Sequence, residues 1–382
     1  MKLSLLGGLT PRQFLRDYWQ KKPLLIRQAI PGFKGVLSGA EIRALAGNED
    51  AQSRLVMHIA GKWQMEQGPF AKRRVKQLPK SDWTLLVQDV NHFVDAGMAL
   101  LRRFDFIPYA RRDDLMVSYA APGGGVGAHF DSYDVFLLQG EGERRWRISA
   151  QKDLSLVPNL PLKILRDFRA EQEWILRSGD MLYLPPSYAH DGVALSACTT
   201  YSIGFRAPSN QEILQQFLTH VQDELALKGM YSDPDLAPQS SPATISKAMV
   251  GKVAALIDTL SWNKADYARF LGKYLTEPKA HVYFNPPTPA LTLAQFRQLC
   301  KQHGVMLDRK SRMLLRAPWL FINGECVLLD ATTTENLREL ADRWMIKSET
   351  QISDLATKQL YTWYCDGYVR LGPLGSMTWV QK

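Results

Sequence analysis

The segment His129-Phe130-Asp131 places an imidazole and a carboxylate two positions apart, and a second imidazole, His190, follows the stretch GDMLYLPPSYA. On a strand, alternation would turn His129 and Asp131 toward one face. A closing barrel could then carry a strand that begins near His190 alongside the first. Two histidines and a carboxylate would cap one side of a metal ion and leave the remaining positions open. That donor set suits Fe(II) in oxygenases that bind a cosubstrate and O2 together. Each part is weak alone. An HxD triplet is often a surface pair, and a lone histidine is more often a loop or capping residue.

Arg144 is an independent element. Alternation puts Arg144, Trp146 and Ile148 on one face of a strand and Arg145, Arg147 and Ser149 on the other. The apolar partners make Arg144's face the interior one, so its guanidinium needs an anion there. A planar fork grips a carboxylate with two hydrogen bonds, which a dicarboxylic cosubstrate chelating iron at its other end would require. The bland alternative is an exposed arginine in a basic run. Ser202, Ser118 or Tyr119 could complete the carboxylate site, although core or surface roles suit each as well. The run Gly123-Gly124-Gly125-Val126-Gly127 lacks the GK[ST] ending of a phosphate-binding loop. It reads as either an entrance loop or a plain connection.

These residues need elements to hold them. From Leu115 onward, LMVSYAA, AHFDSYDVFLLQ, RRWRIS, GDMLYLP and CTTYSIGFRA are short, aromatic and β-branched, separated by turn residues. Such spacing predicts an antiparallel barrel or sandwich with the HxD triplet inside a strand. Before it, residues 10–20 and 38–47 read as helices capped by Thr10 and Ser38, with a strand after Pro23. Residues 80–104 read as one or two helices. After Pro208, residues 209–228 set Ile213, Phe217, Val221 and Leu225 on a helical stripe, and 243–275 suggest two more helices. FNPPTPA marks a boundary. Beyond it come a helix, a hairpin turning at Asn323-Gly324, further helix, and a second hairpin expected at Asp366-Gly367.

The 382 residues are 46% hydrophobic and 10% aromatic, enough for a packed core and too ordered in composition for a low-complexity chain. The apolar runs are too short for a membrane span or a signal peptide, so a cytoplasmic protein is expected. Four cysteines without CxxC spacing imply reduced thiols rather than a disulfide frame or a zinc site. A net charge of +9 favours an acidic partner, or is simply a basic surface.

PGGGVGAHFDSYDVFLLQGEGERRWRI, GDMLYLPPSYAHDGVAL and YSIGFRAP, with the opening FLRDYWQKKPLLIRQ, resemble the JmjC-domain ribosomal oxygenases over nearly the whole chain. The resemblance is strongest to the bacterial branch acting on large-subunit ribosomal protein sixteen. It implies a mainly β plus α chain. Residues 1–207 would form a double-stranded β-helix (cupin/JmjC barrel) with N-terminal helical elements, 208–283 a helical dimerisation region, and 284–382 a winged-helix-like domain. It implies Fe(II) on His129, Asp131 and His190, and 2-oxoglutarate held by Arg144 with Ser202 or Ser118. O2 and 2-oxoglutarate would be consumed, succinate and CO2 formed, and C-3 of an arginine in the ribosomal protein hydroxylated. Many JmjC relatives carry lysine at the position of Arg144 and threonine at that of Val126. Arginine agrees with the bacterial branch, whereas the valine departs from the pattern. Tyr133 and Asp134 are the candidates to meet the substrate guanidinium.

Three other readings remain. One is a cupin metalloenzyme that uses no 2-oxoglutarate, and another is a protein demethylase using the same oxidant. The third is a nucleic-acid-binding protein whose basic cluster Arg309, Lys310, Arg312 and Arg316 makes a weak RNA contact. A hydrolase built on Ser187 lacks the G-x-S-x-G turn.

Overall fold

Thr10 opens the first helix, α1 (Pro11–Asp17), through a capping box with Gln13, and Ser38 does the same with Glu41 for α2 (Gly39–Leu45). In the computed structural model, which describes residues 2–372, these helices belong to a first unit that ends at Pro208. Its other helices are the short α3 (Lys72–Lys76) and α4 (Asp95–Arg102). Its strands are β1 (Leu24–Ile26), β2 (Ser53–Ile59), β3 (Lys62–Gln67), β4 (Trp83–Val87), β5 (Arg112–Ala120), β6 (Asp134–Gln139), β7 (Arg144–Ser149), β8 (Gln172–Leu176), β9 (Met181–Leu184), β10 (Ala189–Ala194) and β11 (Cys198–Phe205).

They form an eight-stranded sheet in the order β1-β9-β6-β11-β5-β4-β2-β3 and a three-stranded sheet β10-β7-β8. All named pairings in both are antiparallel. One face of the large sheet carries Leu115, Val117, Phe136, Tyr183, Tyr201 and Phe205, which pack with Phe14 and Ile42 of the N-terminal helices. The opposite face carries Val135, Leu137, Leu182 and Leu184, which pack on Trp146, Ile148 and Leu176 of the small sheet. The strands thus enclose an interior lined by alternate residues.

Residues 80–104 differ from the helical expectation. WTLLV is the fully buried strand β4, set between β2 and β5, and only Asp95–Arg102 is α-helical. A short apolar run buried on both faces has no period that separates strand from helix. The strands β2 and β3 have no counterpart in the expectations.

The second unit starts at Ser209. It contains α5 (Asn210–Glu224), α6 (Lys247–Asp258), α7 (Lys264–Thr276), α8 (Leu293–His303), α9 (Ala331–Arg343) and α10 (Asp354–Cys365). Its strands are β12 (Val305–Leu307), β13 (Met313–Arg316), β14 (Trp319–Ile322), β15 (Glu325–Leu328), β16 (Met345–Ile346) and β17 (Val369–Leu371), in two three-stranded sheets. Asn323 and Gly324, both at positive φ, turn the β14–β15 hairpin as expected. The second expected hairpin is absent. The residues up to Cys365 are helix α10, capped by Ser353 and buried through Leu360 and Trp363, and Gly367 only ends it before β17. β17 pairs with β12 instead. Residues 373–382, part of the expected winged-helix region, lie outside the described residues.

Candidate metal centre

His129 does not lie within a strand. It makes an isolated antiparallel bridge to His190, with both backbone hydrogen bonds formed at 2.9 and 2.8 Å. The chain then leaves the ladder, and β6 begins only at Asp134. Gly125 and Gly127 explain why. A Cβ on Gly125 would lie 2.6 Å from the Gly192 carbonyl, and Gly127 adopts φ +79 beside Trp63 and Ile164. The glycine run therefore brings His129 against β10 at a single point. Asp131 is fixed through its own carbonyl, which accepts from the Ser187 amide at 2.7 Å.

The side chains meet. Asp131 Oδ2 is 3.9 Å from His129 Nε2 and 3.6 Å from His190 Nε2, and one donor atom from each residue lies within 4.8 Å of the others. His129 Nδ1 donates to the Gly127 carbonyl at 2.9 Å, and His190 Nδ1 donates to the Tyr188 carbonyl at 2.8 Å. A carbonyl only accepts, so each Nδ1 carries the proton and each Nε2 offers its lone pair. Burial, reinforced by the neighbouring His129, lowers the pKa of His190 to about 4. That imidazole is neutral at pH 7, the form that ligates a metal.

Arg144 is 3% exposed, and its Nε and Nη2 have no hydrogen-bond partner. Its guanidinium carbon is 5.7 Å from the centre of the Trp146 ring. In the β7–β10 ladder Arg144 faces Ala194, Trp146 faces Gly192 and Ile148 faces His190. Alternation therefore sets Arg144 and His190 on one wall of the interior. An unpaired buried cation is costly, so the wall that carries a candidate metal ligand also carries an unmet demand for an anion. This is the fit expected of a metal chelated by one end of a dicarboxylate.

A cavity of about 510 Å³ opens at His129 and Asp131, with Tyr133 and Ser202 also in its lining; Arg144 and His190 are not part of that lining. Ser118 is buried on β5 opposite Thr200 and is not in that lining. Asp134 must be set aside as a substrate contact. Its carboxylate is fully buried and accepts from Tyr183 Oη at 2.6 Å, Gln20 Nε2 at 2.9 Å and Arg111 Nη2 at 3.2 Å. It points to the face opposite Val135, which lines the cavity. Burial raises its pKa against the pull of those hydrogen bonds.

The sequence reading missed Asp113, Asp114 and Met65, which also line the cavity. Asp114 shares its face with Met116 and Ser118, and its Oδ2 accepts from the Asp89 amide at 3.2 Å. Alternation within β5 is the signal that could have found it.

Residues 99–213 match the JmjC domain family, and residues 259–370 match the ROXA-like winged helix family. The chain is 35% identical over 314 residues to the ribosomal protein uL16 3-hydroxylase of Escherichia coli, covering 82% of this chain and 84% of that one. It is 40% identical over 232 residues to a probable ribosomal oxygenase of Haemophilus influenzae, covering 60% and 55%. Among solved structures, the E. coli ribosomal oxygenase YcfD in complex with cobalt and 2-oxoglutarate superposes with a TM-score of 0.82 at 32% identity, covering 96% of this chain and 99% of that one. Its complex with cobalt and succinic acid gives 0.81.

Proposed function

The chain belongs to the JmjC-domain ribosomal oxygenases, and from that premise we propose that it hydroxylates C-3 of an arginine in ribosomal protein uL16. It is an Fe(II)- and 2-oxoglutarate-dependent oxygenase with a JmjC barrel and a C-terminal winged helix. The observation that carries the reading is the pairing of the His129, Asp131 and His190 donor cluster with the unpaired, buried guanidinium of Arg144 on the same wall.

In this reading His129, Asp131 and His190 hold the metal, and the Nδ1 bonds to Gly127 and Tyr188 fix the rings so that both Nε2 atoms face it. Iron with 2-oxoglutarate and O2 supplies the oxidising power, releasing succinate and CO2. Arg144 grips the distal carboxylate of the cosubstrate, with Ser202 or Ser118 as neighbouring hydroxyls. Tyr133, Asp113 and Asp114 offer an aromatic face and two carboxylates to a guanidinium entering the cavity. No acid or base on the protein is required, and its work is to position the arginine and exclude competing reactions.

The test is mass spectrometry of uL16 incubated with purified enzyme, Fe(II), 2-oxoglutarate and O2. A gain of one oxygen atom on an arginine, lost in His129→Ala, is expected. An unmodified uL16 in the presence of metal-loaded enzyme would overturn the assignment.

Residues 208–283 serve as the dimerisation region of a homodimer, and 284–382 form the winged-helix-like domain, whose basic residues Arg309, Lys310, Arg312 and Arg316 make a weak RNA contact. The protein works in the cytoplasm beside its ribosomal substrate. No helix among the described residues is long and apolar enough to cross a membrane.

A further inference from the structure

A hydroxyl placed on C-3 goes one bond away from the substrate's main chain. Side-chain grips on the guanidinium alone leave that carbon's distance from the metal ligands unfixed, so the substrate backbone must itself be held near the cavity mouth.

Strand β3 is the last strand of the eight-stranded sheet, and among the described residues nothing pairs with its outer edge. The hydrogen-bond parity of this edge can be read from its neighbours. The His58 amide donates to Asp82, on the β4 side of β2, and the Gly68 amide donates to the Ser53 carbonyl. In the β2–β3 register His58 faces Trp63, Val56 faces Met65 and Arg54 faces Gln67. Bonding alternates along an antiparallel pair. Hence Lys62, Gln64 and Glu66 bond to β2, while the N–H and C=O of Trp63, Met65 and Gln67 point outward.

The side chains of these same three residues share the face that turns to the cavity. Met65 and its neighbours Arg54 and Val56 line it, and Trp63 stands within reach of Gly127, beside His129. The strand's outward backbone groups and its cavity-facing side chains therefore belong to the same residues. On an added antiparallel strand, a residue opposite Trp63 or Met65 would exchange backbone hydrogen bonds with it and send its own side chain to the cavity face.

We infer that an extended segment of the ribosomal protein substrate docks by adding an antiparallel strand to the free edge of β3, with the target arginine at one of the cavity-facing positions. The inference rests on the uL16 reading above and names the docking element for that site.

Amide hydrogen exchange on the enzyme loaded with Fe(II) and 2-oxoglutarate without O2, with and without uL16, tests it. The amides of Trp63, Met65 and Gln67 should slow roughly tenfold or more when uL16 binds, while those of Lys62, Gln64 and Glu66, already bonded to β2, should not change. Gln67→Pro removes one outward donor without breaking the β2 ladder. It should raise KM for uL16 up to roughly tenfold, the worth of one backbone hydrogen bond, with little change in kcat. If uL16 is hydroxylated while the three amides exchange at unchanged rates, strand addition is wrong and the uL16 reading stands. If uL16 is neither bound nor hydroxylated, both fall.

Discussion

Arg144 is the residue on which stability and function pull in opposite directions. Its guanidinium is buried with two nitrogens unpartnered, a cost the protein carries until an anion arrives. Arg144→Met should therefore raise the melting temperature of the ligand-free protein, by about 1 kcal/mol or more of added stability. The same substitution should raise KM for 2-oxoglutarate roughly ten- to hundredfold, the worth of a charge-assisted pair. It should also abolish the upward shift in Tm that 2-oxoglutarate gives the wild type. Thermal melts with and without 2-oxoglutarate, together with succinate formation, read all three. A variant less stable than wild type in the absence of ligand would refute the account of Arg144 as an unmet cation.

Two buried carboxylates respond to acid in opposite senses. Asp180 accepts from the Gln28 and Arg177 amides and from Arg27 at 2.7 Å. Burial alone would push its pKa up, but these bonds prevail and hold it below the ordinary value. Its contribution is therefore full above the unfolded pKa of about 4 and is lost as pH falls through the lower folded value. Asp180→Asn should cost roughly 1–2 kcal/mol at pH 7, and the gap from wild type should close on acidification. Denaturant titrations at pH 7 and near pH 3 measure this. Asp134 behaves inversely. Its folded pKa is raised, so the native state binds that proton more tightly than the unfolded chain and acidification favours the fold through this group.

At the scale of elements, the β7–β10 ladder matters most, because it carries Arg144, Trp146 and His190 together. Gly192 lies under the Trp146 ring, and a Cβ there would sit 2.6 Å from it. Gly192→Ala must displace that ring, which lies 5.8 Å from the His190 imidazole. A loss of about 1–3 kcal/mol is expected, together with weaker metal binding seen by titration with Fe(II) or Co(II). Unchanged metal affinity in a destabilised variant would show that the ring does not position His190. The legibility of the site follows the same division. The donor residues were readable because their types and spacing are local properties of the chain, although His129 meets β10 at a single bridge and not, as expected, within a strand. The interior face of Arg144 was readable because Trp146 and Ile148 flank it in sequence. Asp113 and Met65 were not, because β5 and β3 reach the cavity only through pairings between distant segments, and Asp114 escaped because β5 starts at Arg112, before the Leu115 from which strands were expected. β4 was misread because five consecutive buried residues carry no period. Asp134 directly follows the HxD triplet, but its parity is opposite to that of Asp131, and Tyr183, Gln20 and Arg111 take up its buried carboxylate on the other face.

At the scale of the whole molecule, two helices of the second unit expose apolar side chains that no other described residue covers. On α5, Leu214 and Leu218 are each 53% exposed, one helical turn apart. On α6, Val250 and Ile257 are each 58% exposed, with Val253 and Leu256 also exposed beside them. Helix α5 does bury Phe217 and Val221 against Phe270 and Tyr274 of α7, so the exposed stripe is a second face rather than a misplaced core. Soluble monomers rarely leave contiguous apolar patches of more than a few hundred Å² open to water. A second copy of the chain, bringing the same stripe, would cover it by a two-fold pairing. Light scattering should give the mass of a dimer for the wild type. Leu218→Glu combined with Ile257→Glu puts a charge into that pairing on each helix and should shift the mass to a monomer, while Phe217 and Val221 keep the unit folded. If the double variant remains a dimer with unchanged concentration dependence, the apolar stripe is not where two chains meet.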